Sequence, residues 1–223
     1  MTRTIVRLFA LAFAVFWLSN CTFGLPAVRG PEPRLFKLSP ASTFPGNLPT
    51  ADWQLVVEPP YSSAAINTLR IALRTSPVEI DYYANASWVD RPPVMVQNLI
   101  IESFSKSGRI VGIGRNTAGV RANFLLVTDL RDFQAEIQPD GNHKVQVTIG
   151  ARLVNLPGRV IVAATEIQHE AVAPGTDLAR IVGAFDEAVG RSLTDLVSWT
   201  LTTGETIRKR VAAPNGDASL QAH

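Results

Sequence analysis

The sequence predicts an α+β fold, a single domain with a mainly antiparallel sheet and two packed helices, preceded by a signal peptide and a tether. Three observations carry this. Long alternating segments follow one another between residues 123 and 170, an apolar stripe at helical spacing runs from Leu178 to Trp199, and shorter alternating segments lead into a second helical stretch after Pro92-Pro93. The elements follow in chain order. Phe36 and Leu38 alternate with Lys37, and Trp53, Leu55 and Val57 alternate with Gln54 and Val56 before Pro59-Pro60, giving two strands around the loop 39–50. Residues 70–74 and 79–86 read as an antiparallel pair, with Ile80, Tyr82 and Ala84 on one face and Asp81, Tyr83 and Asn85 on the other. Val94, Val96, Leu99, Ile100 and Phe104 suit a helix over 94–105, with the prolines in its first turn. A strand at 110–113 precedes three longer ones, 123–138, 144–155 and 159–170, turning at Asp140-Gly141 and Pro157-Gly158. In the middle one, Val145, Val147, Ile149, Ala151 and Leu153 face inward, while Lys144, Gln146, Thr148, Gly150 and Arg152 face water. Thr176 is placed as the N-cap of the last helix, 176–200, whose apolar face must be covered by the preceding meander. The domain spans 34–204, and the tail 205–223, with little apolar content, is expected to be disordered.

Composition bounds the function. A chain of 223 residues with 46% hydrophobic and 18% charged residues holds one globular domain plus short appendages. The formal charge of +2 includes Arg3 and Arg7 of the leader, so acids and bases balance from Cys21 onward. No nucleic-acid partner is expected, because phosphate binding needs a clustered basic excess. The single cysteine excludes an internal disulfide and a Cys-based structural zinc site.

That cysteine is read by its position. Arg3 and Arg7 precede the uncharged run Leu8 to Leu18, the layout of a signal peptide over 1–20. As a helix the run would rise only about 17 Å, short of the roughly 30 Å hydrocarbon core. Leu18-Ser19-Asn20-Cys21 resembles a bacterial lipobox, with Asn20 standing where Gly, Ala or Ser is usual. Lipidation at Cys21 would hold a soluble domain on a membrane without a span. Residues 21–33 read as a flexible tether, its stretch 22–33, with three prolines and two glycines, reaching up to about 40 Å.

Motifs of chemistry are sparse. His143 lies in a turn where a solvent-facing polar residue is the default, and His169 and Glu170, adjacent on a strand, point to opposite faces and read as a surface polar pair. Gly112, Gly114 and Gly119 lack the following helix that a nucleotide loop needs, so a hairpin loop is the better reading. The sequence contains no G-x-S-x-G, Walker lysine or H-E-x-x-H motif. No catalytic residues, cofactor or metal are expected.

The lipobox, the early F-K-L strand, Trp53-Gln-Leu-Val-Val-Glu-Pro-Pro, Arg70-Ile-Ala-Leu-Arg and Ile80-Asp-Tyr-Tyr-Ala-Asn-Ala-Ser-Trp-Val-Asp-Arg-Pro-Pro together resemble the ABC-type transport auxiliary lipoprotein family, which includes the paraquat-inducible protein C type. The resemblance covers roughly 34–200. It implies a non-enzymatic envelope lipoprotein that assists lipid or hydrophobic-solute transport beside an ABC permease, an ATPase and a mammalian-cell-entry (MCE) domain protein, and it leaves homo-oligomerisation open. Thr22 after the cysteine favours the periplasmic face of the outer membrane over inner-membrane retention. Tyr83, Trp88, Asp90 and Arg91 are the candidate partner contact, with Tyr83 and Arg91 exposed. For Trp88 the competing reading is core packing beneath the helix, with Tyr82 on the same strand face. The competing function is a lipid carrier with an apolar cavity of roughly 300 Å³ or more between sheet and helices; a periplasmic hydrolase ranks below both.

Overall fold

The longest strands organise the domain. The computed structural model describes residues 32–115, 122–156 and 158–212, so the signal peptide, Cys21, nearly all of the tether, Gly119, Pro157 and the end of the tail lie outside the described residues. The described strands are β1 (Arg34–Phe36), β2 (Ala51–Val57), β3 (Tyr61–Ser62), β4 (Arg70–Ser76), β5 (Glu79–Trp88), β6 (Ile110–Arg115), β7 (Phe124–Ile137), β8 (His143–Asn155) and β9 (Val160–Ala173). The helices are α1 (Pro92–Ser107) and α2 (Leu178–Ala212).

β7, β8 and β9 form an antiparallel meander whose ladders run almost their full lengths. The other side of β7 is too long for any one short strand. β2, β3 and β4 therefore share it in succession, each parallel to it, at Leu55–Phe124, Tyr61–Asp129 and Leu73–Ala135. β5 then pairs antiparallel with β4, β1 parallel with β5, and β6 parallel with β2. The result is α+β with a mixed sheet dominated by its antiparallel ladders. The expected hairpin around Gly112 and Gly114 does not form, because β6 and β7 both pair with β2.

The inward row of β8, Val145, Val147, Ile149, Ala151 and Leu153, is fully buried beneath the helices. Above it, Phe185 of α2 meets Trp88 edge-on at 5.2 Å and Phe133 at 5.2 Å, and these two rings lie 5.8 Å apart. Ile181, Ala188, Val189, Leu193, Leu196, Val197 and Leu201 extend the same apolar face. α1 contributes Met95, Val96, Leu99, Ile100 and Phe104 and ends at Gly108, whose φ of 61° suits a glycine C-cap.

Several local expectations change. Val94 points outward, although Pro92 and Pro93 before it and Met95 after it are buried. Asp177, not Thr176, caps α2, its carboxylate accepting the Arg180 N–H at 3.0 Å. Leu178 and Trp199 are only partly buried. The sharpest difference is at the C-terminal end, where residues 205–212, expected to fray, continue α2. Glu205 takes Arg208 at 2.9 Å and Lys209 at 3.6 Å, Arg208 also reaches Asp52 at 3.1 Å, and Ile207 packs against the core. Ion pairs one turn apart and cations at the last carbonyls favour helix where the apolar pattern has faded.

The turn of α2 at Gly204 lies directly under Trp53, where an added Cβ would sit 2.5 Å from the indole. Gly183 faces open space on the same helix. Gly183→Ala is therefore expected to stabilise by up to about 1 kcal/mol through helix propensity, whereas Gly204→Ala should destabilise by about 1–3 kcal/mol through overpacking. Truncating Phe185 to Ala should cost about 3–5 kcal/mol. Urea unfolding of the three variants checks both signs; equal effects of the two glycine changes would contradict the packing at Gly204.

Candidate functional site

The sequence places Tyr83, Trp88, Asp90 and Arg91 in one contact patch, and the structure separates them. The cause is an irregularity in β5. Ala72 pairs with Tyr82 and Arg70 with Ser87, so the residues between 82 and 87 outnumber those between 70 and 72. Asn85 takes up the excess at a φ of 53°, a left-handed conformation that asparagine tolerates. A bulge of this kind resets which residues face inward. Tyr82 and Trp88, six apart, consequently do not share a face. Trp88 is 1% exposed against Phe133 and Phe185, so it is a core residue and not a contact residue. Tyr82 lies under Arg70, whose guanidinium carbon is 3.8 Å from the ring centre, and its hydroxyl donates to the Ala65 carbonyl at 3.2 Å.

Tyr83, expected to be exposed, is half-buried against the core. Its ring centre lies 5.9 Å from that of His143, and its hydroxyl is buried without a hydrogen-bond partner among the described residues. His143, expected in solvent, is the buried first residue of β8, with Nδ1 2.9 Å from the Gly175 carbonyl oxygen. Asp90 and Arg91 remain exposed. Arg91 occupies the N-cap of α1 in extended backbone (φ −60°, ψ 138°), the conformation that a following proline favours. The pair forms a charged corner where β5 hands over to α1.

A cleft of about 490 Å³ lies between the loop after β1 and the outer flank of α2. The Ser39 N–H donates to Asp186 Oδ1 at 2.6 Å, and the Thr194 hydroxyl donates to the Thr43 carbonyl at 3.3 Å. His169 Nε2 lies 2.8 Å from Asp195 Oδ2, so His169 pairs with the helix rather than with Glu170. Arg191 meets Glu187 at 3.3 Å and donates to the Glu170 carbonyl. Sequence reasoning did not single out this stripe, although Glu187, Arg191 and Asp195 recur every four residues on one helix face. Three carboxylates, Asp186, Glu187 and Asp195, line it against one arginine, Arg191, so the cleft is acidic. No group of three or more His, Cys, Asp or Glu able to hold a metal occurs among the described residues.

The outward face of the sheet is laced with ion pairs. Arg74 meets Glu136 and Asp132, Lys144 meets Glu170 at 3.0 Å and Glu136 at 3.8 Å, Arg152 meets Asp129 at 2.9 Å, and Arg131 meets Glu166. Thr148 and Gly150, expected in water, are buried beneath this layer, with the Arg131 guanidinium over Gly150. Individually such exposed pairs add little stability. Their effect is to cover the sheet with balanced charge.

The model of the family described as ABC-type transport auxiliary lipoprotein component matches residues 36–197. An uncharacterized protein, bll6063 of Bradyrhizobium diazoefficiens, is 29% identical over 153 residues, which cover 68% of this chain and 40% of that protein. The chain thus spans well under half the length of this relative. The crystal structure of protein XCC0632 from Xanthomonas campestris superposes with a TM-score of 0.75 at 26% identity, covering 79% of this chain and 99% of the other. A crystal structure of another uncharacterized protein shares the fold at a TM-score of 0.58 and 14% identity, over 74% and 97% of the two chains.

Tyr83 supplies a test of the bulged strand. Burial pushes its phenol far above the ordinary value of 10.0. The folded state therefore favours the neutral phenol, and the stability it contributes is complete below about pH 10 and is lost as pH rises beyond that toward the raised folded value. Tyr83→Phe removes an unpartnered buried hydroxyl, so it should be neutral or stabilising at pH 7 and should reduce the loss of stability above pH 10. Thermal melts of both proteins from pH 7 to 11 provide the check; an unchanged alkaline slope would place Tyr83 in solvent.

Proposed function

The chain belongs to the ABC-type transport auxiliary lipoprotein family, and we propose that it acts by docking: a lipid-anchored adaptor that engages the other components of a transport system and performs no chemistry on the cargo. The observation that carries this reading is the filled interior. The space between sheet and helices, where a carrier would hold an acyl chain, is occupied by Trp88, Phe133 and Phe185 at centroid separations of 5.2 to 5.8 Å. Close-packed aromatic rings leave no room there for a ligand.

In this proposal Cys21 carries the lipid, residues 22–33 lead from it to β1, and the protein sits on the periplasmic face of the outer membrane. Among the described residues no helix is long and apolar enough to cross a membrane. The partners are an MCE-domain protein and the permease and ATPase of the same system, and the cargo is a lipid or another hydrophobic solute. Asp90 and Arg91 mark the contact corner. Both are exposed, both are charged, and the rigid junction of β5 with the proline-started helix α1 holds them. Charges on a rim set orientation and partner choice more than raw affinity.

Cys21→Ser is expected to leave an uncleaved precursor that takes up no labelled fatty acid; continued labelling at the N-terminus would refute the anchor. With the lipidated protein in detergent, Arg91→Glu and Asp90→Lys should weaken capture of the MCE-domain protein several-fold while leaving the melting temperature within a degree or two, because exposed substitutions away from the core alter stability by about 0.5 kcal/mol or less. Undiminished capture by both variants would remove this corner from the interface.

A further inference from the structure

One outward patch departs from the balanced charge of the sheet. Of the strand cations, Arg74, Arg131, Lys144 and Arg152 each sit against a carboxylate. Arg34 and Arg70 do not, among the described residues. Each lies over an aromatic ring instead, Arg34 over Phe36 at 5.1 Å and Arg70 over Tyr82 at 3.8 Å. Lys37, also exposed, makes no ion pair among the described residues.

Arg70 and Lys37 share one face of this margin with exposed apolar side chains, whereas Arg34, paired with the buried Ala86, lies on the opposite face with Phe36. Leu35 and Arg70 both pair with Ser87, so the three form one row across β1, β5 and β4. Directly paired residues share a face of a sheet. Leu35 is 66% exposed, and Val89, two residues beyond Ser87 and bonded through its N–H to the Phe36 carbonyl, is 43% exposed. Leu69, whose carbonyl accepts the Trp88 N–H, is 45% exposed at the same end. Asp90 is offset by its neighbour Arg91 and Glu32 by Arg34, which leaves Lys37 and Arg70 in excess. Aliphatic side chains beside these two cations match an anionic phospholipid surface, where the apolar groups enter the interface and the cations meet headgroup phosphates.

The covalent connection points the same way. β1 is the first element of the domain, and only the thirteen positions 21–33 separate Arg34 from the chain upstream of Cys21. Thirteen residues reach at most about 45 Å, so lipidation at Cys21 keeps this margin within that distance of the bilayer. A weak surface affinity is then expressed at high effective concentration.

We propose that the outward face of the β1–β5–β4 margin, built on Leu35, Lys37, Arg70 and Val89, rests on the anionic bilayer surface and sets the orientation of the domain on its membrane. This rests on the anchored reading above and adds a defined face to it.

The test uses the lipidated full chain in vesicles of phosphatidylethanolamine and phosphatidylglycerol. Because the acylated Cys21 is no longer a free thiol, Ser87→Cys and, as the distant control on β9, Gln168→Cys each add one labelling site for an environment-sensitive fluorophore. The fluorophore at 87 is expected to shift to the blue and to be quenched by lipids brominated near the headgroup, and the one at 168 to do neither. Lys37→Glu with Arg70→Glu, or replacement of the anionic lipid by phosphatidylcholine, should abolish the response at 87. Equal responses at both positions, or none at 87 in vesicles that carry the protein, would overturn the proposal. Failure to float with vesicles at all would refute the anchor and this proposal with it, whereas flotation with a silent fluorophore refutes the oriented face alone. Unchanged melting temperatures of the variants show that the fold is retained.

Discussion

The structure depends on one requirement: the apolar face of the β7–β8–β9 meander must be covered. An antiparallel ladder of thirteen pairings on each side of β8 creates an inward row of Val145, Val147, Ile149, Ala151 and Leu153, all at most 2% exposed. A single helix, α2, supplies most of the cover, and Phe185 enters the triangle it forms with Trp88 and Phe133. The rest arranges itself around that contact. α1 fills the flank, β2, β3 and β4 complete β7, and Gly204 lets the last turns of α2 close onto Trp53. Burying these side chains contributes roughly 1.5–3 kcal/mol each, so this one interface provides much of the driving force for folding.

The parts of the fold set by simple periodicity were legible in the sequence. The alternation in β8, the helical stripe from Ile181 to Leu196 and the antiparallel β4–β5 pair all appear where their patterns place them. Three features were not legible, each for its own physical reason. The parallel pairings of β2, β3 and β4 with β7 depend on long-range register, which no local pattern encodes. The bulge at Asn85 shifts a face by one residue, so an extrapolation from Tyr82 to Trp88 fails although each half of the strand alternates correctly. The helical extension beyond Glu205 rests on charge pairing rather than on apolar spacing.

The candidate site was legible only in part. The stretch around Trp88 was singled out for its rings, yet Trp88 serves the core, and the exposed members are the charged Asp90 and Arg91. The cleft beside α2 escaped notice because its partners, Ser39 and Asp186, lie 147 residues apart in the chain. Large aromatic rings signal burial as readily as recognition, whereas unpaired charge on a surface of balanced ion pairs is the more selective mark of contact.

The central claim, that the interior is closed to cargo and the surface does the work, is tested most directly by native-state hydrogen exchange of the full chain with and without a short-chain phospholipid. The account predicts unchanged exchange for the amides of β8, α1 and the segment of α2 around Phe185, since no acyl chain enters between sheet and helices. Added protection spread along the facing sides of β8 and α2, rising with lipid concentration to saturation, would contradict it and establish a carrier.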